Sequence, residues 1–495
     1  MSEEISEACG VFGVVSTSTN VNIFPFLYWG LLSLNHRGQQ SYGFVTLAGK
    51  GFRKKEDLNL IPTDEESVEK LEKFLKGRAG IANARYATSG GTGIRHLKGG
   101  KQPMVVSSSE AKIAVSYNGN IVNTKSLKRD LRERFGRFKS NADTEVLAKE
   151  ILLGLEDFHD YDKAIAQVLQ KVEGAYSAMV LDSDGSLHAF RDPHGIRPYC
   201  FGRKDGLFAF ASESPALDIN SFETLEFVRG GEHITVSANG NFSRKVLEKE
   251  KSAMCSFEFA YFARPDSILN RTDIPVYKVR ELFAKNLAHD YKSRLSKDDV
   301  ILSIPETADD AAYAMHESTG LPWERAVRKN RYVTRRAFIS IEEQRQDVID
   351  KKMNVISSLV NGKKIAVVED SVVRGDTSKI NVAKLRRKGA KRVDLYVTFP
   401  KITNPCLYGV DMATYGELIG SGRSEIEIAK WLGADSVSYQ KIEGLVNAIG
   451  LPRSDLCLGC VTGKYPTKIA QRLADRSKRR FDSSHPEGKR RIYES

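Results

Sequence analysis

The sequence predicts two joined folds, an α+β half followed by an α/β half built on a parallel sheet. Three observations predict this. The chain has 495 residues, and at about 150 residues per domain that suggests two to four domains. Its first half reads as short strands and turns, broken by Gly and Pro, with helices between them. Its second half contains a strand–loop–helix–glycine–strand series over 362–399, the grammar of a βαβ unit. Hydrophobic residues make up 41% and aromatics 9%, which supplies sizeable cores and excludes wholesale disorder. The opening MSEEISEA is polar and acidic, the wrong chemistry for a secretory leader. No apolar run approaches the ~18–20 residues of a spanning helix. A soluble, cytoplasmic chain without a membrane partner is expected.

Taken in order, AKIAVSYNGNIVN (111–123) reads as a hairpin or tight strand turn, because Asn118-Gly119 is a turn signal between apolar runs. Residues 144–157 carry apolar residues at helical spacing, with Asp143 as the expected N-cap. The charged stretch around 245–254 reads as a linker. Ile365 to Val368 form a continuous apolar run, as a buried parallel strand does. A helix from about Thr377 is expected to turn Ile380, Ala383 and Leu385 inward and to stop at Gly389. Val393, Leu395 and Val397 alternate as the next strand. Residues 471–495 are rich in Lys, Arg and Ser and read as a basic tail. The formal charge is +12, which raises the question of nucleic acid.

Cys9 lies close to the N-terminus and is followed by Gly10 and Gly13. The pattern suits an N-terminal nucleophile whose own α-amine serves as base once residues 1–8 are removed. Taken alone, it suits a buried inert cysteine better. Four short segments follow it: Asn35-His36-Arg37-Gly38-Gln39, Arg85-Tyr86-Ala87-Thr88, Tyr117-Asn118-Gly119-Asn120 and Asp143-Thr144-Glu145. Singly, Asn118-Gly119 reads as a turn, Arg85 as a surface ion pair and Asp143 as a helix cap. In this order, over roughly residues 9–240, they resemble the class II, N-terminal-nucleophile glutamine amidotransferases. The resemblance implies Cys9 as nucleophile and Asn118 with the Gly119 N–H as oxyanion hole. Arg85, Thr88 and Asp143 are implied as the glutamine-binding residues, Arg85 clamping the α-carboxylate.

The second constellation is Glu369-Asp370-Ser371-Val372-Val373-Arg374-Gly375-Asp376-Thr377-Ser378. Two carboxylates end a strand, and a glycine-containing loop leads into a helix N-terminus that can cradle phosphate. It resembles the phosphoribosyl pyrophosphate (PRPP) loop of the type I phosphoribosyltransferases. Joined to a glutaminase-like half, it resembles the amidophosphoribosyltransferases, as do CSFEFAYFARPDS (255–267), KNRYV (329–333), NPCLYGVD (404–411) and CVTGKYPTKI (460–469). The fold then implied is an αββα Ntn-hydrolase sandwich over 9–245, a phosphoribosyltransferase domain over 255–470 and a tail over 471–495. PRPP binding is implied for Glu369, Asp370, Ser371, Arg374, Gly375, Thr377 and Ser378, and Mg²⁺ for Thr307, Glu369 and Asp370. A homo-oligomer, dimer or tetramer, is also implied.

Six cysteines complete the reading. In those family members that carry a structural [4Fe–4S] cluster, its ligands fall in the motifs that hold Cys255, Cys406, Cys457 and Cys460 here. Four thiolates would also satisfy zinc. Cys200 reads as a packing residue. The departures from the family pattern are Tyr117 for His, Gln40 for Glu, Glu306 and Ala308 in the diphosphate loop, Ile349 near a missing arginine, one additional residue around Thr334, Arg335 and Arg336, and Asp376 for Thr. A carboxylate about 4 Å from phosphate costs on the order of 1–4 kcal/mol. The expected function is glutamine-dependent transfer of ammonia to PRPP, the first step of purine synthesis. The alternatives are a paralogue with a different phosphorylated acceptor and a PRPP-binding regulator that contacts nucleic acid.

Overall fold

The computed structural model describes residues 9–18, 20–49, 51–85, 99–223, 225–330, 353–412 and 414–483. The first half is a four-layer sandwich. One antiparallel sheet has seven strands, in the spatial order Glu226–Phe227, Cys200–Lys204, Leu207–Ala211, Gly10–Ser16, Ala79–Arg85, Ser41–Ala48 and Gly51–Asp57. The other has six, in the order Phe242–Val246, Glu232–Val236, Leu187–Arg191, Gly174–Asp182, Lys112–Ile121 and Met104–Ser107. Alternation sets the layers, because successive side chains of a strand leave on opposite faces. Val11, Val45 and Ile81 of the first sheet meet Ala114, Met179 and Leu181 of the second in one core. The outer face of the first sheet packs on helix Phe24–Ser33, and that of the second on helices Asp143–Phe158 and Tyr161–Lys171.

The second half is built on four parallel strands, in the order Asp299–Ser303, Lys364–Glu369, Arg392–Val397 and Ser436–Tyr439. Both faces are covered, as a parallel sheet requires. Helices Val276–Asp290 and Asp309–Thr319 pack on Ile301, Ala366 and Val368. Helices Asp376–Arg387 and Glu425–Leu432 pack on Leu302, Val367 and Leu395. A further core joins the halves, with Ala175 and Ile196 against Phe257, Phe259 and Leu407. No helix among the described residues is long and apolar enough to cross a membrane.

Four expectations are corrected. Residues 112–121 form one continuous strand and not a hairpin. Strands on both sides fix it, and Asn118 and Gly119 lie opposite Ser177 and Tyr176. Asp143 is the first residue of its helix, with Ala142 at the N-cap. Its carboxylate accepts from the Ile121 N–H at 3.2 Å and is drawn toward the neighbouring strand. In helix Asp376–Arg387 the buried apolar residues are Val382 and Leu385, while Ala383 is exposed. The start of the basic tail is ordered as helix Lys468–Asp482. Ala470, Ala474 and Ser477 make its buried stripe, and the Glu173 carboxylate accepts from the Ile469 and Ala470 N–H groups at its N-terminus. A carboxylate there also meets the positive end of the helix dipole.

Candidate functional site

Cys9 precedes strand Gly10–Ser16 and is 7% exposed. The pairing of Gly10 with Ala84 sets the next residue, Arg85, opposite Cys9. The Cys9 carbonyl accepts from Arg37 Nε at 3.3 Å. Across the sandwich, Asn83 Nδ2 donates to the Tyr117 carbonyl at 3.3 Å and ties the two sheets together at this end. Burial pushes the Tyr117 phenol up, the neighbouring Asp143 and Cys9 push it further, and Arg85 opposes them. Asp143, Cys9 and Arg85 therefore all act electrostatically on Tyr117. The Asn118 side chain is wholly buried, and neither its nitrogen nor its oxygen has a hydrogen-bond partner among the described residues. A buried amide left this way is costly, and it is the state expected of a donor reserved for a ligand. Beside it, a Cβ on Gly119 would stand 1.9 Å from the Ala175 carbonyl oxygen, so only glycine fits this close strand contact. Tyr86 and Thr88 lie outside the described residues.

The second site is a cleft of about 1280 Å³, its open mouth included, lined by Thr307, Glu369, Asp370, Ser371 and Thr377 among others. Glu369 ends its strand and accepts from Ser378 Oγ at 2.8 Å. Asp370 accepts from Ser371 Oγ at 2.6 Å and from Thr307 Oγ1. Burial raises the Asp370 carboxyl, and these hydroxyls oppose the rise. Gly375, at φ 87°, is the N-cap that launches helix Asp376–Arg387. A Cβ there would lie 2.7 Å from the Trp431 ring. Asp376 is exposed and does not line the cleft. Arg374 does not line it either; its guanidinium bonds the Asp411 carbonyl at 3.4 Å and pairs with its carboxylate at 3.5 Å. Glu306 and Lys329 line the cleft and lie 3.7 Å apart. Arg335, Arg336 and Ile349 fall outside the described residues.

A buried charge network, not singled out in the sequence, connects the two sites. Arg37, Arg197, Glu213 and Glu258 have fully buried side chains. Arg37 pairs with Glu213, and with Glu258 at 2.8 Å, while Arg197 pairs with Glu258 at 3.0 Å. Two guanidiniums thus balance two carboxylates. Glu213 also accepts from His36 Nε2 and from the Arg264 N–H, and both of those residues line the cleft. Burial alone would raise the Glu213 carboxyl, but His36 and Arg37 hold it well below the usual carboxylate range. Its stabilising contribution is therefore present above the ordinary carboxylate pKa of about 4.3 and is lost as pH falls through the depressed folded value. Replacing Glu258 by glutamine would leave two buried guanidiniums undercompensated. The expected loss is about 3–5 kcal/mol of stability, read by denaturant unfolding at neutral pH.

Cys255, Cys406, Cys457 and Cys460 line one small apolar pocket together with Ile196, Phe257 and Tyr465. Cys255 and Cys457 are partners on adjacent parallel strands. The Cys460 carbonyl accepts from the Thr403 and Asn404 N–H groups and so holds the loop that carries Cys406. The Tyr408 N–H donates to Cys406 Sγ at 3.3 Å. Among the described residues no group of three or more His, Cys, Asp or Glu side chains is set to hold a single metal ion. Burial raises all four thiols. The same loop reaches the first site, because Asn120 Nδ2 donates to the Leu407 carbonyl at 2.9 Å. Cys200 is buried and donates to the Ala211 carbonyl at 3.4 Å, as a packing residue does.

These two sites can be set beside known proteins. The glutamine amidotransferase domain family matches residues 92–219. The amidophosphoribosyltransferase of Methanocaldococcus jannaschii is 39% identical over 476 residues, covering 93% of this chain and 98% of that protein. The Bacillus subtilis amidophosphoribosyltransferase is 35% identical over 472 residues, covering 94% of this chain and 96% of that one. A solved structure of the B. subtilis glutamine PRPP amidotransferase, complexed with ADP and GMP, superposes with a TM-score of 0.83 at 33% identity, covering 93% of this chain and 98% of that chain. That similarity extends over the Ntn sandwich and the phosphoribosyltransferase sheet together. On this evidence the chain belongs to the amidophosphoribosyltransferase family.

Proposed function

We propose that the chain is a glutamine-dependent amidophosphoribosyltransferase of the cytoplasm, with a glutaminase unit over 9–245 and an acceptor unit over 255–470. One observation carries the reading: a single loop serves both sites. Arg37 bonds the Cys9 carbonyl, and its neighbours His36 and Gln39 line the acceptor cleft. Ammonia released at Cys9 then has its acceptor on the other side of that loop.

The α-amine of Cys9, exposed after removal of residues 1–8, takes the thiol proton, and the sulfur attacks the glutamine amide carbon. The oxyanion accepts from Asn118 Nδ2 and the Gly119 N–H. Arg85 and Asp143 hold the α-carboxylate and α-ammonium. Collapse of the intermediate expels ammonia, and water cleaves the glutamyl thioester. In the cleft, ammonia displaces pyrophosphate from C1 of PRPP. The backbone at the start of helix Asp376–Arg387, with Thr377 and Ser378, holds the sugar phosphate.

The residues present fit Mg²⁺, which takes one or two carboxylates and leaves its other positions to water and phosphate. Glu369, Asp370 and Thr307 would hold it, and it would neutralise charge on the leaving diphosphate. The four thiols that line one apolar pocket are also a donor set that would suit an iron–sulfur cluster in a structural role. Because Asp376 is turned to solvent, the reading with a different acceptor loses its main support.

The test is pyrophosphate release by anaerobically purified protein given PRPP, Mg²⁺ and glutamine. Release that requires all three supports the reading; release independent of glutamine and ammonia contradicts it. Iron and sulfide near four per chain with a brown colour support the cluster, whereas one zinc per chain replaces it.

A further inference from the structure

Arg280 is a buried cation to which the mechanism above gives no task. It stands on helix Val276–Asp290 and is 2% exposed. Its Nε donates to the Phe259 carbonyl at 3.0 Å, and its Nη2 to the Ala263 carbonyl at 2.8 Å and the Tyr261 carbonyl at 3.4 Å. These carbonyls lie in and just after the π-helical turn Glu258–Phe262. The end of a helix leaves such carbonyls without partners, so Arg280 acts as its cap.

Capping occupies two of the three guanidinium nitrogens. The third, Nη1, is buried and has no hydrogen-bond partner among the described residues. No carboxylate among them lies within ion-pair distance of Arg280, although Asp370 and Asp310 act on it from further away. The side chain lines the acceptor cleft together with Tyr261, Phe262, Thr307 and Asp370. A neutral amide would cap the carbonyls as well. A guanidinium adds a positive charge and a planar fork that match phosphate oxygens. Leaving a buried charged donor unsatisfied is costly unless a ligand completes it.

We propose that Arg280 is a substrate-binding residue of the acceptor cleft, donating from Nη1 to the diphosphate of bound PRPP. The inference rests on the acceptor reading given above. The diphosphate end is favoured because Thr307 and Asp370, which are bonded to each other, line the same cleft as Arg280.

The test compares the parent enzyme, purified anaerobically, with R280M and R280Q. Magnesium pyrophosphate and ribose 5-phosphate are titrated separately by calorimetry, and thermal unfolding is recorded for each protein. In R280M the Kd for pyrophosphate rises about 10- to 100-fold, while that for ribose 5-phosphate changes less than about threefold. R280Q, which keeps N–H groups for the carbonyls but loses the charge, shows the same selective loss and decides the matter if R280M does not fold. An unchanged pyrophosphate affinity in a folded variant overturns the inference. So does an equal weakening of both ligands, the mark of a cap alone. Failure of the parent itself to bind pyrophosphate or PRPP would instead overturn the acceptor reading.

Discussion

Replacing Cys9 with alanine is expected to lower glutamine-dependent turnover by at least about 10⁴-fold, because no other group supplies the sulfur that forms the thioester. Turnover with ammonium salts as nitrogen source should stay within about twofold of the parent, since Cys9 is not among the residues that line the acceptor cleft and distant sites behave nearly independently. Both rates are read by pyrophosphate release under saturating PRPP. Arg37 bonds the Cys9 backbone carbonyl, which alanine keeps, so the substitution leaves that contact of the buried charge network in place. Loss of both activities in a folded variant would show that the two sites are one, against the division of labour argued here.

Gly119→Ala is the second large effect, and it acts through shape. The added methyl would stand 1.9 Å from the Ala175 oxygen and 2.7 Å from the Tyr176 Cα, all on backbone of the adjoining strand. Neither atom can move aside as a flexible side chain would, so the strands must part. Overpacking of this kind costs about 1–3 kcal/mol of stability. Displacement of the Gly119 N–H removes one oxyanion donor, worth about 10²–10³ in kcat. The expected result is a fall in glutamine-dependent kcat with little change in KM, alongside a lowered melting temperature. A variant with parental kcat would remove Gly119 from the oxyanion hole.

Much of this site was legible in the sequence, because its parts are contiguous. Glu369 to Ser378 run from a buried strand through a left-handed glycine into a helix, and each step has a local signal. Cys9, Arg85, Asn118 and Asp143 were readable as an ordered set, although the local physics of two was misjudged. Asn118-Gly119 carries the composition of a hairpin turn, but pairing with strand Gly174–Asp182 overrides that preference, and the glycine serves close strand contact. Asp143 suits an N-cap, yet the Ile121 N–H claims its carboxylate. The helix at Lys468–Asp482 was hidden because its buried stripe is Ala470, Ala474 and Ser477, small residues that give weak apolar periodicity. Least legible was the buried charge network. Arg37, Arg197, Glu213 and Glu258 come from four separate segments, and nothing local tells a charged residue that it will be buried against its counterions. Arg280 was missed for the same reason.

The account's central claim is that ammonia made at Cys9 is used in the cleft lined by Asp370. It is tested most directly by incubating the anaerobically purified enzyme with amide-labelled glutamine, PRPP and Mg²⁺ and counting glutamate, pyrophosphate and free labelled ammonium together. The account predicts glutamate and pyrophosphate in equal amounts, with little labelled ammonium in the bulk. Glutamate matched by free ammonium, with no pyrophosphate, would contradict it.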